Sequence, residues 1–176
     1  MGGQQSTAAA GSGKGEVLDG RAIAGEIREE MKEHGLWLQK NKGVTPGLAV
    51  VLVGSRPDSA TYVRMKKKAI KEVEFVSKDI DLPETVTEEE LLKVVEDLNN
   101  DKEVHAILVQ LPLPAHINEH KVLSAIKLEK DADGFSTTNI GCVAMKGHEP
   151  MATPCTPWGC IEMLKRSGVE IGGKEA

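Results

Sequence analysis

Three side chains of complementary chemistry fall close together in the sequence: the Ser59 hydroxyl, the Tyr62 phenol and the Lys66 amine. At helical pitch they lie within about 100° of arc, on one face. Such a row near a helix start can hold a polar ligand, and a lysine in a desolvated pocket can exchange protons near neutral pH. The competing reading is a solvated basic face, because Arg64, Lys67, Lys68 and Lys71 crowd the same stretch; on spacing alone that reading is the stronger. A second candidate is Val109-Gln110-Leu111-Pro112-Leu113-Pro114. There a glutamine ends an apolar run, and the prolines that follow leave carbonyls without matching donors; a rigid turn explains the same residues equally well. The third is Lys130-Asp131-Ala132-Asp133-Gly134-Phe135. It starts like a calcium loop but fails at that loop's later positions, which leaves an acidic turn or a carboxylate that accepts from an N–H-rich ligand. The fourth, Pro154-Cys155-Thr156-Pro157, reads as a helix start able to receive an anion or simply to cap itself. His116 and His120 are four apart, but Asn118 between them reads as a helix cap, so no metal site is expected.

The elements that must carry these residues follow from hydrophobic period and punctuation. Ile23, Ile27, Met31 and Leu38 form a stripe at helical spacing from Gly20 to Lys40, and Asn41 to Pro46 reads as a loop. Leu48 to Val53 is a continuous apolar run, as suits a strand covered on both faces. A basic helix from Pro57 to about Val73 follows, then a weakly alternating strand from Phe75 to Leu82. Thr87-Glu88-Glu89-Glu90 is a capping box for a helix that carries Leu91, Val94, Val95 and Leu98. Ala106 to Val109 is a third strand, and Asn118 caps a short helix with Val122, Leu123 and Ile126 inward. Asp131 to Pro154 reads as loop with short strands; Thr156, with Pro157 at the first helical position, starts a last helix that Gly168 ends. Strand alternating with helix predicts an α/β fold with a mostly parallel sheet flanked by helices. Ligands of such sheets sit at the carboxyl ends of the strands, here Gly54 to Ser59, Gln110 to Pro114 and Asp131 to Phe135.

Composition narrows the function classes. The 176 residues carry a net charge of −5 and only 3% aromatic residues. Few rings and an acidic balance argue against a nucleic-acid partner, and they predict an aliphatic core of Val, Ile, Leu, Met and Ala. No apolar run is long enough to span a membrane. Cys142, Cys155 and Cys160 form no C-x-x-C pair, so reduced thiols in the cytoplasm are expected. The first fifteen residues are small and polar and read as a disordered tail; Gly2 to Ser6 also fits the myristoylation pattern.

VGSRPDSATYVRMKKKA, HAILVQLPLPAHIN, KDADGF, NIG and PCTPWGC, in this order, resemble the bifunctional methylenetetrahydrofolate dehydrogenase/methenyltetrahydrofolate cyclohydrolase family, its plant cytosolic members above all. The resemblance runs from about Val17 to Ala176 and reverses the bland reading of Lys66. It implies NADP-dependent oxidation of 5,10-methylenetetrahydrofolate and hydrolysis of the methenyl product to 10-formyltetrahydrofolate, with tetrahydrofolate as the one-carbon carrier. It implies that Lys66 is the catalytic lysine and that Gln110 orients it and tunes its proton exchange. Tyr62 would stack on the folate, Asp133 would bind the pterin edge, Ser59 would support the lysine and tyrosine face, and Leu111 and Pro112 would line the substrate site.

The resemblance also divides the chain into a tail (1–15), a folate-binding catalytic domain (16–155) and a linker helix (156–176). In the family the sequence after Gly172-Gly173-Lys174 runs on into a Rossmann NADP-binding domain, through which the family forms homodimers; no cofactor-binding residue is expected within these 176. The expectation is therefore a truncated member without dehydrogenase activity of its own. A non-catalytic folate-binding or interaction module, or an inactive fragment, is the alternative. Glu74 stands where the family usually has Gly, at an expected cost of about 1 kcal/mol. Ala132 replaces Val, Ser136-Thr137 replaces a His-Pro-like pair, and Trp158 stands where Lys or Arg is common, a pattern suited to a paralogue under relaxed constraint.

Overall fold

The computed structural model describes residues 17–175; the tail and the Gly2 myristoylation pattern lie outside them. The element order is α1 (Gly20–Lys42), β1 (Gly47–Val53), α2 (Pro57–Glu72), β2 (Val76–Leu82), α3 (Glu88–Asn100), β3 (Ala106–Val109), α4 (Glu119–Ala125), a 3-10 turn (Leu128–Lys130), α5 (Thr137–Ala144) and α6 (Cys155–Arg166). The three strands form one parallel sheet in the order β2-β1-β3, so the expected α/β fold is present. β1 is central and almost wholly buried, which is why its sequence is an unbroken apolar run. β2 lies at an edge; its Lys78, Asp79 and Asp81 make it a poor template for further pairing.

Side chains alternate across the sheet and divide the interior in two. Ala49, Val51, Val53, Ile107 and Val109 face α3 and α4 and pack with Leu91, Val95, Leu98 and Val122. Val50 and Leu108 face the other way, toward Val63 and Ile70 of α2. Val, Ile, Leu and Ala build this core as expected, but no methionine joins it among the described residues. Met31, Met65, Met145 and Met151 are all exposed, at 41% to 67%.

The helix ends show how local chemistry sets the elements. Thr87 Oγ1 accepts from the Glu90 N–H while Glu90 returns a bond to the Thr87 N–H, a complete capping box. Asn118 caps α4 through the Lys121 N–H. α2 ends with Glu74 at φ 60, the left-handed conformation that favours glycine, and Lys32 pairs with its carboxylate at 2.8 Å. α6 closes in a Schellman turn: the Gly168 N–H donates to the Lys165 carbonyl and the Val169 N–H to that of Leu164.

Three local expectations change. α1 runs two residues further than expected and closes on Gly43, whose N–H donates to Gln39. α6 begins at Cys155, so Pro157 is its third residue rather than its first; proline is tolerated there because first-turn N–H groups have no intrahelical acceptor. The stretch from Asp131 to Pro154 contains a helix, α5, in place of short strands. Its β-branched and glycine residues hide the helix locally, but Ser136 Oγ caps it through the Asn139 N–H. Its one strand-like feature is an isolated bridge between Ile107 and Asp131. α6 docks on α1, where Arg166 makes two 2.7 Å bonds to the Glu30 carboxylate.

Candidate active site

The sheet face turned away from α3 and α4 is covered only in part, by α2. A cleft of about 730 Å³ runs along it, floored by Leu48, Leu108 and Gln110 and walled by α2 on one side. The other wall is Ala132, Asp133 and Phe135 with the start of α6, Pro154 to Pro157. Gln110 reaches the floor because it lies two residues beyond Leu108 and so shares its face; its N–H continues the ladder to the Val51 carbonyl. Pro112 and Pro114 then carry the chain away, through a cis Leu111–Pro112 bond.

Lys66 and Gln110, 44 residues apart in sequence, meet here: Lys66 Nζ donates to Gln110 Oε1 at 3.2 Å. The amide is itself oriented by donating from Nε2 to the Leu111 carbonyl at 2.8 Å. The pair is thus an amine held by an acceptor that cannot take its proton. Tyr62, one turn earlier on α2, is 63% exposed with its ring on the cleft lining. Opposite, burial pushes the Asp133 carboxyl above the ordinary carboxylate range; the Lys66 charge opposes that shift and Asp131 adds to it. The Cys155 thiol is likewise pushed up, by burial first and then by the charge of Asp133. The site combines a mainly apolar cleft, an exposed ring, an amine with a fixed partner and a carboxylate poorly solvated in its charged form.

Of the seven expected residues, Tyr62, Lys66, Gln110, Leu111 and Asp133 line this cleft. Ser59 does not; it is buried in the first turn of α2. Pro112 lines a separate cavity of about 450 Å³ with Gly54, Arg56 and Glu84. Most of the expected residues therefore lie along the side of the sheet that faces α2, and not at the strand ends alone. Phe135 and Met31 also line the cleft; Phe135 lies in the acidic-turn segment and Met31 in the helical stripe of the sequence, and neither is an expected site residue. Asp131 and Asn139, both buried, fall in the quoted KDADGF and NIG segments, but the sequence assigns no role to either, because their hydrogen-bond partners are distant in sequence.

The residues do not fit a dinucleotide. The turn after β1, Gly54-Ser55-Arg56-Pro57, lacks a second and third glycine, Pro57 removes a helix N-terminal donor, and Asp58 puts a carboxylate where a phosphate would sit. The Arg56 guanidinium and the Ser59 N–H hold that carboxyl down at about 2.

A parallel-sheet domain with a polar trio at one apolar cleft is the architecture of a small-molecule enzyme domain. The profile described as tetrahydrofolate dehydrogenase/cyclohydrolase, catalytic domain, matches residues 18–133, and the chain belongs to that family. It is 55% identical over 160 residues to the bifunctional protein FolD 2 of Arabidopsis thaliana, covering 91% of this chain and 54% of the relative. Chloroplastic and mitochondrial FolD proteins of the same plant are 53% and 51% identical. Among solved structures, the methylenetetrahydrofolate dehydrogenase-cyclohydrolase of Trypanosoma brucei, complexed with NADP and an inhibitor, superimposes with a TM-score of 0.86 at 44% identity, covering 90% of this chain and 54% of that one. The FolD of Campylobacter jejuni gives 0.82 at 43%, covering 89% and 55%. The chain spans about half the length of the curated relatives it matches. No described helix is long and apolar enough to cross a membrane.

Proposed function

We propose that the chain is a folate-binding catalytic domain whose cleft takes a 5,10-bridged tetrahydrofolate and hydrolyses the methenyl form to 10-formyltetrahydrofolate. The observation that carries this reading is the Lys66–Gln110 pair facing Asp133 across one apolar cleft. The Asp133 carboxylate accepts from the N–H-rich edge of the pterin. The Tyr62 ring stacks on the flat part of the folate, which matches the apolar lining. Water adds through oxygen to the cationic bridge carbon and gives one proton to the Lys66 amine; as the bond from the ring nitrogen to that carbon breaks, the Lys66 proton passes to the nitrogen and the remaining hydroxyl proton is released to solvent, leaving the formyl group on the other nitrogen. Gln110 holds the amine at the bridge throughout. Ser59, buried one turn before Tyr62, supports that helix face from beneath.

NADP enters this reading as the cofactor of the family's oxidation step, with these residues supplying the folate side alone, and dimer formation belongs with the cofactor domain. The 16–155 segment is the folate domain, with the helix from 156 leading out of it. All three cysteines are free, which suits a reducing compartment such as the cytoplasm; a fluorescent fusion found in plastids or mitochondria would overturn that assignment. For the activity, the purified chain is mixed with methenyltetrahydrofolate and the loss of its absorbance is followed. A rate above the spontaneous one that disappears in Lys66→Ala is the expected result. Saturable folate binding with no Lys66-dependent rate would replace the enzyme reading with a non-catalytic folate-binding module.

A further inference from the structure

Asp131 and Asn139 are two of the three buried polar or charged side chains among the described residues. Neither lines the cleft, yet their hydrogen bonds join all the parts of its far wall. Asp131 accepts from the Phe135 N–H at 3.3 Å, the Ser136 N–H at 2.8 Å and Asn139 Nδ2 at 2.9 Å, which closes the turn that carries Asp133. Asn139 Oδ1 accepts from the Met151 and Ala152 N–H groups at 3.0 and 3.3 Å. Those residues lead directly into Pro154 and Cys155, the second part of the wall. On the sheet side, the Ala132 N–H donates to the Ile107 carbonyl at 3.2 Å, so the turn is registered against β3.

Gly134 completes the contact. It is left-handed at φ 66, and a Cβ there would lie 2.7 Å from the Ala152 carbonyl oxygen. The turn and the 151–154 strap are therefore pressed together with no room for a side chain, and among the described residues Asn139 is the side chain that bonds to both. A buried amide with both ends satisfied has a single low-energy orientation, because rotation would leave two N–H groups without this acceptor and set the amide oxygen against the Asp131 carboxylate.

We propose that Asn139 is a positioning residue for the folate site: through Asp131 on one side and the Met151–Ala152 amides on the other, it fixes where Asp133 meets the pterin. The inference rests on the folate reading above. It makes Asn139 act through Asp133, and that coupling separates it from a residue that merely stabilises the fold. The groups facing Asp133 are Lys66 from α2, Cys155 from α6 and Asp131 from its own turn; Asn139 substitution alters none of these charges.

The test is a double-mutant cycle on tetrahydrofolate affinity, measured by calorimetry on the whole chain below the melting transition of every variant. Asn139→Ala is expected to weaken binding about 10- to 100-fold, the scale on which small misplacements act. In an Asp133→Ala background the same change is expected to cost less than about threefold, because the contact it positions is gone. Leu98→Ala, which opens the core on the opposite sheet face, is the stability control and is expected to leave affinity within about twofold. If Asn139→Ala does not fold cooperatively, Asn139→Ser is carried through the same cycle. Losses that multiply in the double variant, or a parental affinity in Asn139→Ala, overturn the positioning role. Absence of binding by the parent chain is a different result, which overturns the folate reading and the inference with it.

Discussion

The two faces of the sheet are built from alternate residues of the same strands and have opposite characters. On one face Ala49, Val51, Ile107 and Val109 are buried beneath α3 and α4 in an aliphatic cluster. On the other, Leu48, Leu108 and Gln110 floor a cleft open to Tyr62, Lys66 and Asp133. The first face carries the larger core; the second carries a smaller one under α2 together with the candidate site. A change of one position along a strand therefore moves a substitution from one face to the other.

This division can be broken from either side. The largest effect is expected at Lys66. Lys66→Ala should lower methenyltetrahydrofolate turnover about 100-fold or more, the usual scale for removing a general base, and thermal unfolding should be nearly unchanged because Lys66 is not part of the core. Leu98→Ala should do the reverse. It leaves a cavity that costs about 2–5 kcal/mol, read as a Tm lowered by roughly 5–15 °C, with folate affinity retained.

Asp133→Asn is expected to sharpen the contrast by moving both properties at once. The folded chain raises the Asp133 carboxyl above its ordinary value, so it holds that proton more tightly than the unfolded chain does. The resulting stabilisation is full below the ordinary carboxylate range and is lost as pH rises through the raised value. At neutral pH the charge is thus a net cost, and Asp133→Asn should raise Tm by a few degrees there, but not in acid, while folate binding weakens. The smallest effect is Glu74→Gly, at the end of α2. It relieves a left-handed glutamate worth about 1 kcal/mol and removes the exposed Lys32 pair, worth less; a net gain of about 0.5 kcal/mol in chemical denaturation is expected, with turnover unaltered.

The closed face was far more legible in the sequence than the open one. An unbroken apolar β1, the capping box at Thr87 and the Asn118 cap are local signals, and the elements stand where those signals place them. The left-handed Glu74 is expected from the resemblance, in which Gly is usual at that position, and its φ of 60 agrees. α5 was not legible, because Thr137, Thr138, Ile140 and Gly141 disfavour helix and the bonds that hold it come from Asp131 and from residues 151 and 152. Lys66 alone among the lysines of α2 meets Gln110, and only the β1-α2-β3 arrangement brings the two together. The motifs named the residues; spacing by itself favoured a solvated helix face. The buried places of Asp131 and Asn139 had no sequence signature, since hydrogen bonding to amides 12 residues away leaves no periodic trace.

The claim that the open face is a folate site is tested most directly by titrating the isotopically labelled chain with tetrahydrofolate and mapping the backbone and side-chain NMR shifts. The account predicts saturable changes at Tyr62, Lys66, Gln110 and Asp133 and along the 151–157 strap, with α3 and α4 silent. Changes confined to α3 and α4, or none at all at saturating ligand, would contradict it.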